Sequence, residues 1–538
     1  MGLMLSALLT LSLLVRGLGV TSLPPELFGD EIDVGYQAYS LFKTGRDLYS
    51  QPFPVYIHSL SEWRTPLLMY YTVPTIAVFG HTELGVRAPE VILGALAPLI
   101  LFLLVYQVSK SKSAALLSGL VLALMPWHIL YSRAAFESVL LLDFIMLGTI
   151  LFLRRRWFIS LVFFSLTPYI YSTATLFTPL WLISLYLFTS RPRIRITSLL
   201  PLLLLLPFAV NLFFGKAGER FGKVGLFNNK ETVDEIVNLR TESAAPWERL
   251  FSNKVVFTVK KVAANYYSAF SPEFLFLKGD TTARHSLQYI GQLFPLWAPL
   301  FVFGLIYLIK HKQYFWLLWL AIAPIPSALT VDGAYHATRL FLMIPPLAVA
   351  VASGFLFFRD LLSRKLFSVA FGIFWLVFAF QLFDVANYYY FHYPQKTWRW
   401  WHVGYKQALL ELNKLSPEYS RVFINNTYEP SLIRFLFYSG YDPRTFQRDF
   451  VIDKPKADVS PGYYGFALAP KYYFGGFSPP QNKSLIDVMQ PGNIYMVSQR
   501  DDLPGDWDWR KNPPGGIKVL FTSTDPTGFP IFYLVTKV

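Results

Sequence analysis

The 538-residue chain contains no cysteine. Disulfides, thiol nucleophiles and cysteine metal sites are therefore excluded. Charge is scarce as well. Asp, Glu, Lys and Arg make up 15% of the residues, against roughly 25% in soluble domains. No glycine-rich phosphate loop or dinucleotide fingerprint occurs, and the 8 histidines include no pair at metal-ligand spacing. What replaces the missing charge is apolar: 54% of the chain is hydrophobic, and Phe, Tyr and Trp alone account for 18%. This excludes a soluble enzyme, a disordered chain and an ordinary nucleic-acid binder, and it points to a multi-spanning membrane protein.

A membrane helix needs about 20 mostly apolar residues. About eleven stretches qualify: 3–22, 84–108, 113–132, 135–153, 157–172, 173–189, 196–214, 289–309, 313–330, 337–358 and 366–390. The first has no basic leader and no small-x-small cleavage site, so it reads as an uncleaved span. The net charge of +14 is unevenly spread. Lys110/Lys112, Arg154/Arg155/Arg156, Arg191/Arg193/Arg195, Lys310/Lys312 and Arg359/Arg364/Lys365 fall on every second connection, whereas the turns near 133, 172 and 333 carry almost no cations. With eleven spans, all the basic connections share one side, which the positive-inside rule makes cytoplasmic. The N-terminus is then cytoplasmic and the C-terminus extracytoplasmic, in a plasma or inner membrane. Residues 23–83, 215–288 and 391–538 face outward, with the short Pro74-interrupted run 66–80 at the outer interface.

The segment 391–538 differs in kind. Short apolar runs at Arg421–Asn425, Tyr472–Phe474, Asn493–Val497, Lys518–Thr522 and Pro530–Thr536 read as strands, and Glu429–Ser439 reads as a helix. The expected architecture is a polytopic α-helical membrane domain over 1–390 followed by an extracytoplasmic α/β domain over 391–538. Asn425-Asn426-Thr427 and Asn482-Lys483-Ser484 form glycosylation sequons.

The chemistry concentrates in the first outward loop, Phe28-Gly29-Asp30-Glu31-Ile32-Asp33-Val34-Gly35-Tyr36-Gln37-Ala38-Tyr39. Three carboxylates within four positions near a low-dielectric boundary raise one another's pKa and suit a general base. The same residues also make a helix start, with Asp30 capping and Glu31 and Asp33 favoured by the dipole. Both readings hold at once, because a capped helix is a rigid mount for a site. Asp30 and Glu31 are also the residues to hold a divalent cation, should one be required.

Gly29-Asp30-Glu31 with Tyr36 and Tyr39, Arg64-Thr65-Pro66-Leu67-Leu68-Met69-Tyr70 and Leu84-Gly85-Val86-Arg87-Ala88-Pro89 resemble the membrane glycosyltransferases of the GT-C fold. The nearest likeness is to the protein O-mannosyltransferases and lipid A aminoarabinose transferases, glycosyltransferase families 39 and 83. The resemblance implies transfer of a sugar from a polyprenyl-phosphate donor to a protein, lipid or glycan acceptor on the outer face. It assigns the base to Asp30 and an accompanying acid role to Glu31, with Asp33, Tyr36 and Tyr39 as acceptor or sugar contacts. Where the aminoarabinose transferases carry Glu-Lys, this chain has Trp63-Arg64. Arg64 still offers a fork of donors to phosphate, but Trp63 cannot bind a metal, and only the neighbouring Glu62 could replace that ligand.

Other outward cations fit a lipid-phosphate donor. Arg284-His285, and His336 with Arg339, flank spans on the side otherwise poor in basic residues. They serve either as interfacial anchors or as stabilisers of the departing phosphate. Arg133/Glu137 and Arg87/Glu90 read as ion pairs. The aromatic clusters 388–393 and 398–402 read as an interface belt, with sugar stacking as the sharper alternative. A flippase or transporter of lipid-linked saccharides is the alternative function, favoured by Asp143 within a span and by Pro168 and Pro179. The absence of matched halves weighs against it.

Overall fold

The computed structural model describes residues 2–59, 63–189, 194–215, 225–226, 230–242, 247, 251–428, 430–450 and 456–538. Glu62, Arg191, Arg193 and Glu429 lie outside them. The chain forms two compact units. One comprises Met1–Leu18, Trp63–Leu68 and Pro89–Tyr389, and the other Gly19–Glu62, Met69–Ala88 and Tyr390–Val538. The segments 19–62 and 69–88 group with residues 390–538 rather than with the helices that flank them in sequence.

The first unit is helical. Each of the eleven stretches read as spans carries helix. Among the described residues, four helices are long and apolar enough to cross a membrane: Glu83–Ser109, Ile196–Phe214, Phe341–Leu361 and Arg364–Thr397. The others are shorter, such as Lys112–Leu124, Glu137–Leu153, Ala174–Phe188 and Tyr314–Ile322. Proline explains much of the shortening, because it lacks the amide hydrogen and clashes with the preceding turn. Pro126 starts a new helix after Leu124, Pro168 sits in a 3-10 turn, and Pro324 separates Tyr314–Ile322 from Ile325–Ala328. Hydropathy averages run over such breaks. At the basic turns, Lys110, Arg155 and Lys312 take positive φ values of 57°, 60° and 54°, closing helix ends.

Phe341–Leu361 is the most enclosed of the four long helices, with 89% of its apolar window buried. It meets Ala298–Lys310 at a crossing of small residues. A Cβ on Gly304 would overlap the Ala350 carbonyl, and one on Gly354 would overlap the Leu300 carbonyl. The backbones thus touch, as small residues allow within a bilayer. Gly354→Val is expected to destabilise this crossing by about 1–3 kcal/mol and to lower the thermal midpoint in detergent. An unchanged midpoint would mean that the two helices separate freely.

This unit also buries charge. Arg16 is fully enclosed and donates to the carbonyls of Ser12, Ala123 and Leu122 at 3.1–3.3 Å, and it contacts His128 Nδ1 at 2.9 Å. Glu90 and Asp143 are buried, and neither carboxyl has a hydrogen-bond partner among the described residues. The expected Arg87–Glu90 pair does not form, because Arg87 turns to a different acid.

The second unit is built on a seven-stranded sheet. Its strands are β1 (Arg421–Asn425), β2 (Ala457–Ser460), β3 (Tyr463–Leu468), β4 (Tyr472–Phe477), β5 (Asn493–Ser498), β6 (Ile517–Thr524) and β7 (Pro530–Lys537), ordered 2-3-4-1-5-7-6. β1 runs parallel to β4 and β5, and the outer pairs are antiparallel. The five strands expected from sequence are present. The hairpin β2–β3 is additional; its Pro461-Gly462 turn, with Gly462 at φ 75°, is the signal that marks it. Val422 and Ile424 face one side of the sheet, while Phe423 joins Tyr463, Tyr473, Tyr495, Trp509 and Tyr533 on the other. The sequon residue Asn425 is buried, and both ends of its amide are engaged within the protein, so it is no glycan acceptor in the folded chain.

The acidic loop belongs to this unit through the helix Gly29–Thr44. Gly35 leaves room for the Phe437 ring, Tyr36 donates its hydroxyl to the Tyr441 carbonyl at 2.8 Å, and Gln447 donates to Ser40, Thr44 and the Asp47 carbonyl.

Candidate active site

In the second unit the helix Gly29–Thr44 begins at Phe28, whose amide donates to Glu31 Oε2 at 3.4 Å. Glu31 is fully buried and takes both arms of Arg87: Nε donates to Oε1 at 2.8 Å, and Nη2 to Oε2 at 2.9 Å. Arg87 spends its remaining donors on the carbonyls of Val20, Pro24 and Glu26 at 2.8–3.0 Å. One guanidinium thus winds residues 20–31 around itself and fixes the start of the helix. The adjacent Asp30 is exposed. The two acids of the Asp-Glu pair therefore sit in opposite environments, one facing solvent from a helix N-terminus and the other locked in a buried bidentate pair.

Around Asp30 the tail supplies groups that sequence reading did not single out. Arg434, fully buried, donates to the Leu27 carbonyl at 3.3 Å, contacts His402 Nδ1, and lies over the Tyr405 ring at 4.9 Å. It is within electrostatic reach of both Asp30 and Glu26. Its signal was a lone cation inside the apolar run Ser431-Leu432-Ile433-Arg434-Phe435-Leu436-Phe437. Glu26 accepts the amides of Gly404 and Lys406 at 2.9 and 2.7 Å, and burial pushes its carboxyl up to about 7. Asp33 is buried, with Gln37 donating to it at 3.5 Å. Tyr36 is buried and committed to Tyr441, whereas Tyr39 is half-buried and meets the His81 ring edge-on at 4.1 Å.

In the first unit, three separate segments bring His285 and His336, from two of the outward basic pairs, close together. Tyr131 hydrogen-bonds His285 Nδ1 at 3.0 Å and Thr338 Oγ1 at 2.8 Å. Asp280 accepts the amides of Thr282 at 2.7 Å and Ala337 at 2.8 Å, tying the 280–285 loop to the 332–339 loop. The His285 and His336 rings lie 6.0 Å apart, and Arg284 is half-buried beside them in sequence. Arg339 is held by Asp332 and by Thr330 Oγ1 at 2.6 Å. Arg64 is buried, and Thr65 beside it donates to the Ile170 carbonyl at 2.7 Å.

Burial, aided by Arg339, pushes His336 down from 6.5 to about 4, with Asp332 opposing. The unfolded ring protonates near pH 6.5, while the folded ring stays neutral until about pH 4. Stability that rests on the neutral ring is therefore present above pH 6.5 and is lost as the pH falls towards 4. His336→Gln is expected to lose less thermal midpoint between pH 7 and pH 5 than the parent protein, and equal losses would remove His336 as the titrating group.

Among the described residues no three His, Asp or Glu side chains converge as a metal site. Of the pair expected to hold a cation, Glu31 has both oxygens on Arg87 and Asp30 is exposed.

Residues 6–188 match the family model described as dolichyl-phosphate-mannose-protein mannosyltransferase. No curated protein matches the sequence. Among solved structures, ArnT from Cupriavidus metallidurans bound to undecaprenyl phosphate aligns over 99% of this chain and 97% of its own, with 12% identity and a TM-score of 0.52. The oligosaccharyltransferase AglB from Archaeoglobus fulgidus, solved with an inhibitory peptide and a dolichol-phosphate, aligns over 81% of this chain with 14% identity and a TM-score of 0.45. This chain spans 63% of the length of AglB. The first third of the chain thus matches the mannosyltransferase family model, and the fold of the whole chain is similar to that of ArnT.

Proposed function

We propose that the protein transfers a sugar from a polyprenyl-phosphate donor to a protein, lipid or glycan acceptor by single displacement with inversion. Asp30 is the base that takes the proton of the acceptor hydroxyl as it attacks the anomeric carbon. The lipid phosphate departs with the opposite configuration left at that carbon. The observation that carries this reading is the division of the Asp-Glu pair: Glu31 is consumed by Arg87, so Asp30 alone presents a carboxylate outward from a fixed helix start. Glu31 acts as the positioning residue. The cluster of Arg284, His285 and His336 suits the departing phosphate, whose charge grows in the transition state. Arg64 and Arg339 belong to the same proposed set. The proposed topology has eleven spans, a cytoplasmic N-terminus and an extracytoplasmic C-terminal domain.

Two neighbours were solved with polyprenyl or dolichol phosphate, one of them at a TM-score of 0.52, which supports a lipid-phosphate donor here. The test is a transfer assay in liposomes with a panel of radiolabelled polyprenyl-phosphate sugars and native membrane extract as acceptor source. Label appearing on protein or glycan supports the reading. Label that moves across the bilayer while staying on its lipid would favour a flippase instead. In the same assay Arg284→Ala is expected to raise the donor KM about tenfold, the loss of roughly 1.4 kcal/mol expected of one charged phosphate contact. An unchanged KM would take Arg284 out of the donor site.

A further inference from the structure

The carboxyl ends of β1, β4 and β5 open onto a cleft of about 370 Å³ in the second unit, which the transfer chemistry above does not use. Its place follows from the topology. β1 lies between two strands parallel to it. The connection from β1 to β4 runs over one face of the sheet, where Phe435 of the helix Ser431–Ser439 packs on Phe474. The connection from β4 to β5 covers the opposite face, with Leu485, Ile486 and Met489 in the cluster around Phe423. In α/β sheets such a reversal leaves a crevice outside the strand ends, and ligands bind there.

The lining is open and mixes polar groups with apolar surface from Tyr464 and Phe477. Asp502 Oδ2 accepts the Ser498 amide at 2.7 Å and Asn425 Nδ2 at 2.6 Å. Asp502 Oδ1 has no hydrogen-bond partner among the described residues. Asp501 is exposed beside it, Asn426 lies next along the chain, and Tyr464 is 47% exposed at the wall. Gly476 lies on the cleft lining, and a Cβ there would meet nothing within 4 Å. Burial pushes the Asp502 carboxyl up to about 7, so near neutral pH it is available both to donate and to accept. Sugar hydroxyls likewise donate and accept at once, which amides and carboxyls answer, and the C–H face of a pyranose packs on an aromatic ring. With Asp501 and Asp502 set against a single cation, Lys456, the lining carries no excess of positive charge to favour a phosphate or sulfate. The volume falls at the small end of ligand sites.

We propose that this cleft binds a neutral saccharide of one or two rings carried by the acceptor, held by Asp501 and Asp502 with Tyr464 against the ring. The acceptor assignment rests on the transferase reading, but the binding does not. The test uses the full chain in nanodiscs, free of glycoside detergents, and saturation-transfer NMR with methyl α-mannoside, mannobiose, lactose, chitobiose and glucose 6-phosphate. At least one neutral sugar is expected to bind, with glucose 6-phosphate weaker. Tyr464→Ala, Asp501→Asn and the cleft-filling Gly476→Leu are each expected to weaken binding tenfold or more, while Asp30→Asn binds as the parent does. The proposal is overturned if none of the neutral sugars binds, or if Tyr464→Ala and Gly476→Leu both bind like the parent while remaining folded by thermal midpoint. Transfer from lipid-linked donor without saccharide binding would defeat the cleft alone, whereas binding without any transfer would defeat the transferase reading alone.

Discussion

Asp30→Asn is expected to lower sugar transfer by roughly 10²–10⁴-fold, the contribution usual for a positioned general base, with little change in stability. Asn keeps the size and the capacity to hydrogen-bond but cannot take up a proton. Asp30 is exposed, so its replacement leaves no buried cavity. An anion at a helix N-terminus contributes roughly 0.3–1 kcal/mol at an exposed site, and the buried Arg434 near Asp30 keeps Glu26 as a second acid within electrostatic reach. The measurement pairs kcat with the thermal midpoint. A large fall in kcat at an unchanged midpoint is the expected pattern, and full activity would take the base role away from Asp30.

Arg87→Met is expected to show the reverse pattern, a loss of fold before any question of rate arises. The substitution leaves the Glu31 carboxylate buried without its partner, and breaking such a pair costs about 3–5 kcal/mol. It also strands the carbonyls of Val20, Pro24 and Glu26, which Arg87 now satisfies. That sum is a large share of an ordinary domain's stability, so the variant should be recovered in low yield with a depressed midpoint. Removing both charges as Arg87→Met with Glu31→Leu should restore part of the midpoint, because no uncompensated charge then remains. Activity should stay low in the double variant, since Asp30 loses its fixed helix start. A single variant as stable as the parent would show that the pair does not hold the loop.

The contrast between these two substitutions marks how far the sequence could be read. Adjacent acids after a first apolar helix drew attention to this segment, yet nothing in Gly29-Asp30-Glu31 says which acid turns inward. That depends on Arg87, 56 positions from Glu31 along the chain, and at helical spacing Arg87 looked better suited to Glu90. The cluster proposed for the phosphate follows the same rule. Arg284-His285 and His336 stood out as cations on a side with few others, but their meeting through Tyr131, Thr338 and Asp280 is a matter of three distant segments. Arg434 was visible only as an oddity in an apolar helix.

Composition and hydropathy alone determined that this chain lives in a membrane, because so little charge and so many long apolar runs cannot be reconciled with water on all sides. Short apolar runs likewise placed five strands of the C-terminal sheet, since each is brief and bounded by turn residues. Only the tertiary structure decided that residues 19–62 and 69–88 belong with that sheet, and that proline breaks leave four helices of full spanning length among the described residues. It alone separated Asp30 from Glu31, because burial and ion pairing are properties of what a side chain meets across the fold. A sequence names the charges; their neighbours, brought together over long separations, decide which is spent on holding the structure and which is left for chemistry.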